Sequence, residues 1–309
     1  MRVLVLGAGA VGGYFGGRLV EKGEDVTFLV RDKRKAQLDH HGLVINSIHG
    51  DVRLQPKTLL ASEKEEPFDV ILLATKAYHL DEAIKAVKPY VNSHSIILPL
   101  LNGIGHLQTL KEAFDHQQVI GGLCFIESTL NEKGEIVQTS GTHKLTYGEF
   151  SGEKTTRVQA LETLFSTANA TFELSDTIEQ DLWHKYLFIT TLSGMTTLMR
   201  SATGPILETE YGRDISKQLF AEVASIMRAV QAPLASEIEE KQFHLLTKQS
   251  YTMKASMLRD IEKHTPIEAD HIQGYLLELA RTYHVKAPLL EVVYTHLKAY
   301  EINRKNESK

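Results

Sequence analysis

Cysteine is almost absent from this chain. The one thiol, Cys124, has no partner for an internal disulfide, so cross-links do not hold the fold, as expected in a reducing compartment. Long apolar runs are missing too. The densest, Val70–Ala74 and Ile96–Leu101, have the size of buried strands and fall far short of the ~20 residues that a bilayer requires. The N-terminal apolar run is too short for a signal-peptide core, and glycines interrupt it. There is no excess of cations. A net charge of −5 argues against nucleic acid or an anionic membrane as a general partner. The 14 histidines are scattered, with no H-E-x-x-H or H-x-x-E-H, and His40-His41 are adjacent rather than spaced for one helix face, so no metal site is expected. A G-x-S-x-G nucleophile elbow is likewise missing, as are repeats and low-complexity tracts. These absences leave a soluble, cytoplasmic globular protein, and 309 residues allow one large domain or two ordinary ones.

What is present begins at once. Residues 3–12 read VLVLGAGAVG: an apolar strand, a glycine turn, then a helix-like stretch. That context gives G-x-G-x-x-G its meaning. Gly7 permits the turn, Gly9 lets the backbone approach a pyrophosphate, and Gly12 lets the helix lie close to the strand. The phosphates then meet free N–H groups at the helix start, which makes Gly7, Gly9, Ala10, Val11 and Gly12 the expected cofactor contacts. The end of the second strand chooses the dinucleotide. It reads Leu29-Val30-Arg31-Asp32-Lys33-Arg34-Lys35, with Arg31 first past the strand and one carboxylate among four cations. A 2′-phosphate suits that charge, so NADP(H) is expected over NAD, with Arg31 as the phosphate contact.

Strand-like and helix-like segments alternate through the first half: Val3–Leu6, Ala10–Lys22, Val26–Val30, Asp69–Leu73, Leu80–Val91, Ser95–Leu98, with a small hairpin at Leu43–Asn46 and Val52–Gln55. The βαβ order predicts a mostly parallel, doubly wound sheet. Then the pattern changes. Val119–Glu127, Glu135–Thr139 and Lys144–Glu149 read as an antiparallel meander with turns at Asn131–Gly134 and Ser140-Gly141, and a helix at Thr156–Ala168 and a strand at Thr171–Leu174 close the unit. Beyond Ser175 the periodicity is helical. The expected organisation is an α/β Rossmann-type dinucleotide-binding domain over 1–175 and an all-helical substrate and catalytic domain over 176–309. The helical half has enough amphipathic stripes to support a homodimer.

Several polar residues stand where chemistry is expected. Lys76 follows a buried strand at its carboxyl end, the edge that faces ligands in open α/β sheets. Asn102 lies beside Gly103 and Gly105 after another strand, placed to hydrogen-bond a nicotinamide or a polar substrate group. Lys185, Ile189 and Ser193 share one stripe of a helix that Asp176 and Glu179 are expected to cap. From that stripe Lys185 is placed to protonate a carbonyl oxygen. Thr265-Pro266-Ile267-Glu268 reads as a capping box, which gives Glu268 a structural role beside any ligand role.

These residues resemble the ketopantoate reductase (2-dehydropantoate 2-reductase) family. The likeness rests on GAGAVGGYFGGRL, TKAYHLDEAI around Lys76, LNGIG around Asn102, LWHKYLF around Lys185 and SMLRDIEKHTPIEADHIQGYLLELA around Ser256 and Glu268, in order along the chain. The resemblance implies a helical second domain like the C-terminal domain of 6-phosphogluconate dehydrogenase. It also implies hydride transfer from NADPH to the C2 ketone of a branched 2-oxo acid, in pantothenate and coenzyme A synthesis. By the same resemblance Lys185 protonates the developing alkoxide, and Glu268 binds the substrate's hydroxyl end. Ser256 meets the substrate carboxylate, Asn102 contacts substrate or nicotinamide, Lys76 lies at the cofactor–substrate junction, and Arg31 meets the 2′-phosphate. Four positions depart from the family pattern of asparagines: Ile189, Ser193, Met253 and Gln273. Ser193 remains a candidate substrate contact. The thinned polar set points to ketopantoate or a related, more apolar 2-oxo acid. A non-catalytic NADP-binding sensor is the reading from another class.

Overall fold

The computed structural model describes residues 1–307. They form two compact units: Met1–Leu101 with His106–Ile178, and Asn102–Gly105 with the residues from Glu179 onward.

In the first unit, β1 (Arg2–Leu6), β2 (Asp25–Leu29), β5 (Lys57–Leu59), β6 (Val70–Leu73) and β7 (Ile96–Pro99) form a sheet in the order β5-β2-β1-β6-β7. Every pairing in it is parallel. Strands β6 and β7 are buried throughout, which is why they are short apolar runs rather than alternating ones. The order reverses between β1 and β6. In such sheets the ligand crevice lies at that reversal, outside the carboxyl ends of the strands.

A second sheet runs β10 (Thr171–Leu174), β9 (Ile136–Gly148), β3 (Leu43–Ser47), β4 (Val52–Leu54), and β8 (Gly121–Leu130) also pairs with β9. The small hairpin expected at residues 43–55 is β3–β4. The expected meander is not formed as three strands. Ser140-Gly141 is no turn: β9 runs straight through it and pairs antiparallel with β8 from end to end, with a register shift between Ile126 and Ser128. The Ser140 hydroxyl explains the difference. It accepts from the Glu127 N–H at 2.8 Å and donates to the Thr142 carbonyl, so the three extra residues of β9 are absorbed as an irregularity within a continuous strand.

Helix α1 (Ala10–Lys22) lies between these sheets. Helices α2 (Asp32–His41), α3 (Leu80–Val87), α4 (Gly105–Ala113) and α5 (Thr156–Phe165) connect later strands. A Cβ on Gly16 would stand 2.9 Å from the Phe28 ring and from Val5 of the first sheet. One on Gly17 would stand 2.6 Å from Ile45 of the second. The glycine pairs past the nucleotide motif are therefore a packing requirement: only a helix thin on both faces fits the gap.

The second unit is helical: α6 (Ile178–Met199), α7 (Thr203–Glu208), α8 (Gly212–Ala229), α9 (Ile238–Thr247), α10 (Ser256–Glu262), α11 (Tyr275–Thr282) and α12 (Pro288–Glu307). One apolar cluster runs through it, from Trp183 and Leu187 on α6 to Phe220 on α8 and Leu297 on α12. The start of α12 is capped from α8, where the Glu222 carboxylate accepts from the N–H groups of Leu289 and Leu290 at 3.2 and 2.7 Å. Asp270–Gly274, immediately before α11, forms a π turn. Among the described residues no helix is long and apolar enough to cross a membrane, and no group of three or more His, Cys, Asp or Glu is placed to hold a metal ion.

Candidate active site

In the first unit the glycine turn stands at the carboxyl end of β1. Gly7 has φ +99°, and a Cβ there would lie 2.9 Å from the Ala74 carbonyl oxygen. A Cβ on Gly12 would lie 2.2 Å from the Gly7 oxygen and 2.8 Å from the Ala74 Cβ. Gly9 is different: nothing lies within 4 Å of the position its Cβ would take. The protein itself closes on Gly7 and Gly12, whereas Gly9 faces open space. Gly9 is also the N-cap of α1 and supplies no capping side chain, so the first N–H groups of Ala10, Val11 and Gly12 precede any intrahelical acceptor. A dinucleotide pyrophosphate fits this cradle.

Neighbouring groups fasten the turn. Arg34, on α2, donates from Nε to the Ala8 carbonyl at 3.1 Å, and its guanidinium also reaches Gln37 at 2.6 Å and the Gly134 carbonyl at 2.9 Å. Burial pulls the Arg34 guanidinium pKa down. Ser128 donates to the Ala10 carbonyl at 3.1 Å. Both residues escape a motif search. Arg34 shows in the sequence only as one more cation in a basic run. Arg31, the candidate 2′-phosphate residue, is exposed and paired with Glu82 at 2.7 Å. Lys76, half-buried, follows β6 on the strand beside β1, so the turns after both strands meet; the Cβ position of Gly7 is 3.5 Å from Thr75.

The second unit gathers the other candidates. Lys185 is on α6 and only 7% exposed; Glu268 is 8% exposed. Two hydrogen bonds hold α6 against the π turn. Tyr186 donates to the Ile272 carbonyl at 2.5 Å, and Gln273 donates to the Ser193 hydroxyl at 2.8 Å. Thus Lys185, beside Tyr186, is tied to the segment that carries Glu268. The capping box expected at Thr265–Glu268 does not form. Thr265 donates instead to the Asp260 carbonyl at 3.0 Å, Glu301 accepts from the Ile267 N–H at 2.9 Å, and helical structure starts only at Ala269. Glu268 therefore stands directly before the first helical residue, its carbonyl accepting the Ile272 N–H at 3.0 Å, rather than at the third position of a first turn opened by Thr265. The expected cap at Asp176 shifts as well, since α6 begins at Ile178.

Asn102 and Gly103 belong to this unit, against the π turn. The His271 ring lies against Gly103. Burial holds that imidazole below its usual pKa range, partly offset by the Glu268 carboxylate and the Asn102 backbone. Ser256 is exposed at the first residue of α10. Ile189 is half-buried on the Lys185 stripe, while Ser193 is buried with its hydroxyl held by Gln273.

Two family models cover this arrangement. "Ketopantoate reductase PanE/ApbA" matches residues 3–152, and "Ketopantoate reductase PanE/ApbA C terminal" matches residues 177–301. The chain belongs to the ketopantoate reductase family. Among family relatives, it is 48% identical over 304 residues to the uncharacterized oxidoreductase YkpB of Bacillus subtilis, covering 98% of this chain and 100% of that one. It is 29% identical to a 2-dehydropantoate 2-reductase of Nostoc sp., covering 95% and 93% of the two chains. The crystal structure of 2-dehydropantoate 2-reductase from Geobacter metallireducens superposes with a TM-score of 0.88 at 27% identity, covering 97% and 99%. The parallel-sheet first unit and helical second unit are the architecture of this oxidoreductase family.

Proposed function

We propose that this family member is an NADPH-dependent 2-oxo acid reductase. Its proposed reaction is the conversion of 2-dehydropantoate to pantoate in pantothenate and coenzyme A biosynthesis. The observation that carries the reading is that Lys185 and Glu268 are both buried within the same helical unit. A buried lysine and a buried carboxylate share one helical unit in a chain that also bears an open glycine cradle.

Gly7, Gly9, Ala10, Val11 and Gly12 hold the dinucleotide's phosphates, Arg31 its 2′-phosphate, and Lys76 and Asn102 its nicotinamide end. The bound cofactor supplies the hydride that reduces the C2 ketone. Lys185 donates a hydrogen bond to the ketone oxygen and then a proton to the developing alkoxide. Glu268 binds the distal hydroxyl and organises the proton transfer. Ser256 and Asn102 hold the remaining polar groups of the substrate, and Ser193 lies farther along the Lys185 stripe.

One observation favours a second substrate. Ile189 contributes no polar group, and Gln273 already occupies the Ser193 hydroxyl. A site that demands hydroxyls rejects their absence strongly, and these two positions make no such demand. A more apolar branched 2-oxo acid suits them.

The test is NADPH oxidation across a panel of 2-oxo acids, 2-dehydropantoate included, with Lys185→Ala in parallel. The expected result is turnover by the wild type and a loss of kcat of about 10²- to 10⁴-fold in the variant, with NADPH affinity little changed. Preferred turnover of unhydroxylated acids supports the second substrate. No turnover on any acid favours the sensor, and a Lys185→Ala defect confined to cofactor binding removes Lys185 as the acid.

A further inference from the structure

Four residues, Asn102–Gly105, group with the helical unit although the chain on both sides of them groups with the sheet unit. The π turn is what receives them. Gly103 has φ +77°, and a Cβ there would stand 3.3 Å from Cδ2 and 3.4 Å from Nε2 of His271, and 3.5 Å from its carbonyl oxygen. A side chain is excluded twice, by the left-handed backbone and by the ring. One residue earlier, the Asn102 backbone acts on the same imidazole. Two residues later, the Cβ position of Gly105 is 3.1 Å from the Tyr275 ring at the start of α11.

On its other side His271 reaches Glu268. The carboxylate lies near enough for its charge to act on the ring, and the Glu268 carbonyl accepts the N–H of Ile272, a residue of the π turn, at 3.0 Å. An i→i+5 turn puts one extra residue into a helical circuit and re-aims the side chains around it, a device common at functional sites. Here the re-aimed side chain is the imidazole, set between the Asn102 backbone and the Glu268 carboxylate.

We infer that His271 is a positioning residue for the 2-oxo acid: with its ring face against Gly103 it holds the Asn102 loop beside the segment that carries Glu268, without itself touching the reacting atoms. The inference rests on the reductase reading above. It predicts that His271 acts on substrate recognition, with little effect on the chemical step or on the cofactor.

The experiment is steady-state kinetics with NADPH and the best oxo acid of the panel, for wild type, His271→Leu, His271→Asn, His271→Gln and Gly103→Ala, with Tm measured for each. Loss of one buried polar contact amounts to about tenfold. His271→Leu is expected to raise KM for the oxo acid by about that factor or more, with kcat and the KM for NADPH changing less than about threefold. The amide variant whose N–H reaches the Asn102 carbonyl is expected to recover most of the loss. Gly103→Ala, which pushes a methyl at the ring from the other side, is expected to show the same KM defect and keeps the test open if the leucine variant does not fold. An unchanged oxo acid KM in His271→Leu, a KM defect that neither amide recovers, or equal losses in kcat and in both KM values would overturn the role. Absence of wild-type turnover sinks the reductase reading and this inference with it; wild-type turnover with an indifferent His271 sinks the inference alone.

Discussion

At the residue scale, charge is easy to count in a sequence and hard to place. Arg31 and Arg34 are three apart in one basic run, yet they do different things. Arg34 is turned inward and fastens the glycine turn through the Ala8 carbonyl. Arg31 is outward, with its side chain 74% exposed against a Glu82 that is 69% exposed. An exposed pair of this kind contributes at most about 1 kcal/mol, so a phosphate dianion displaces the carboxylate at little cost. Charge-assisted hydrogen bonds to that dianion are stronger. Arg31→Ala should therefore weaken NADPH by about 10- to 100-fold and NADH by less than about threefold in a titration of cofactor fluorescence. Equal losses for the two cofactors would refute the assignment. Glu268 and His271 make the related point for neutral and acidic groups. The spacing of Glu268 from Thr265 satisfied the capping pattern, but Thr265 and Ile267 found other partners, and no local rule foresees that.

At the element scale the glycine turn separates into two kinds of glycine. Gly12 is enclosed by the Gly7 oxygen and Ala74, whereas Gly9 is enclosed by nothing. Gly12→Ala should lower Tm by several degrees, because overpacking of this kind costs about 1–3 kcal/mol. Gly9→Ala should leave Tm within about 2 °C while weakening the cofactor about tenfold or more, since its methyl occupies the space kept for the phosphates. Differential scanning fluorimetry with and without NADPH measures both. A Gly9→Ala protein that binds NADPH normally would show that the cradle is not the phosphate site. The βαβ order and this turn were legible because each depends on neighbours within a few residues. Strand β9 was only partly legible. Ser140-Gly141 has the composition of a turn, and its straight course depends on Glu127, thirteen residues away on β8. The packing role of Gly16 and Gly17 was not legible, because the second sheet that crowds Gly17 cannot be seen from the helix's own sequence.

At the scale of the whole molecule, buried titratable groups set how stability follows pH. His143, His184, His271 and His296 are all held below the usual imidazole range, with burial the first cause in each case. In the unfolded chain these histidines take up protons near pH 6.5, before the folded protein does. The unfolded state then binds more protons, so stability falls as pH drops below about 6.5 toward the lower folded values. A second loss belongs to the carboxylates. Burial works against Glu149 and Asp270, but hydrogen bonds from Arg157 and Lys298 outweigh it and leave both below their usual range. Their contribution is present above the unfolded carboxylate pKa and disappears as pH falls through the folded values. Urea midpoints should therefore decline in two stages, one starting near pH 6.5 and one in the acid range. A midpoint constant from about pH 7 to 5 would contradict the histidine stage.

By itself the sequence determined the strand–turn–helix at residues 3–12, the βαβ alternation and the helical character of the second half, because periodicity and glycine placement act over a few residues. Family membership was legible too, since it lies in short runs met in order along the chain. Only the tertiary structure decided which glycine is open and which arginine faces inward. It also decided that Ser193 is held by Gln273, that Glu268 directly precedes its helix instead of closing the first turn, and that Gly103 rests on His271. Each of those outcomes depends on partners far away in the chain, and burial, which fixes whether a polar group is paired or presented, exists only once they have met.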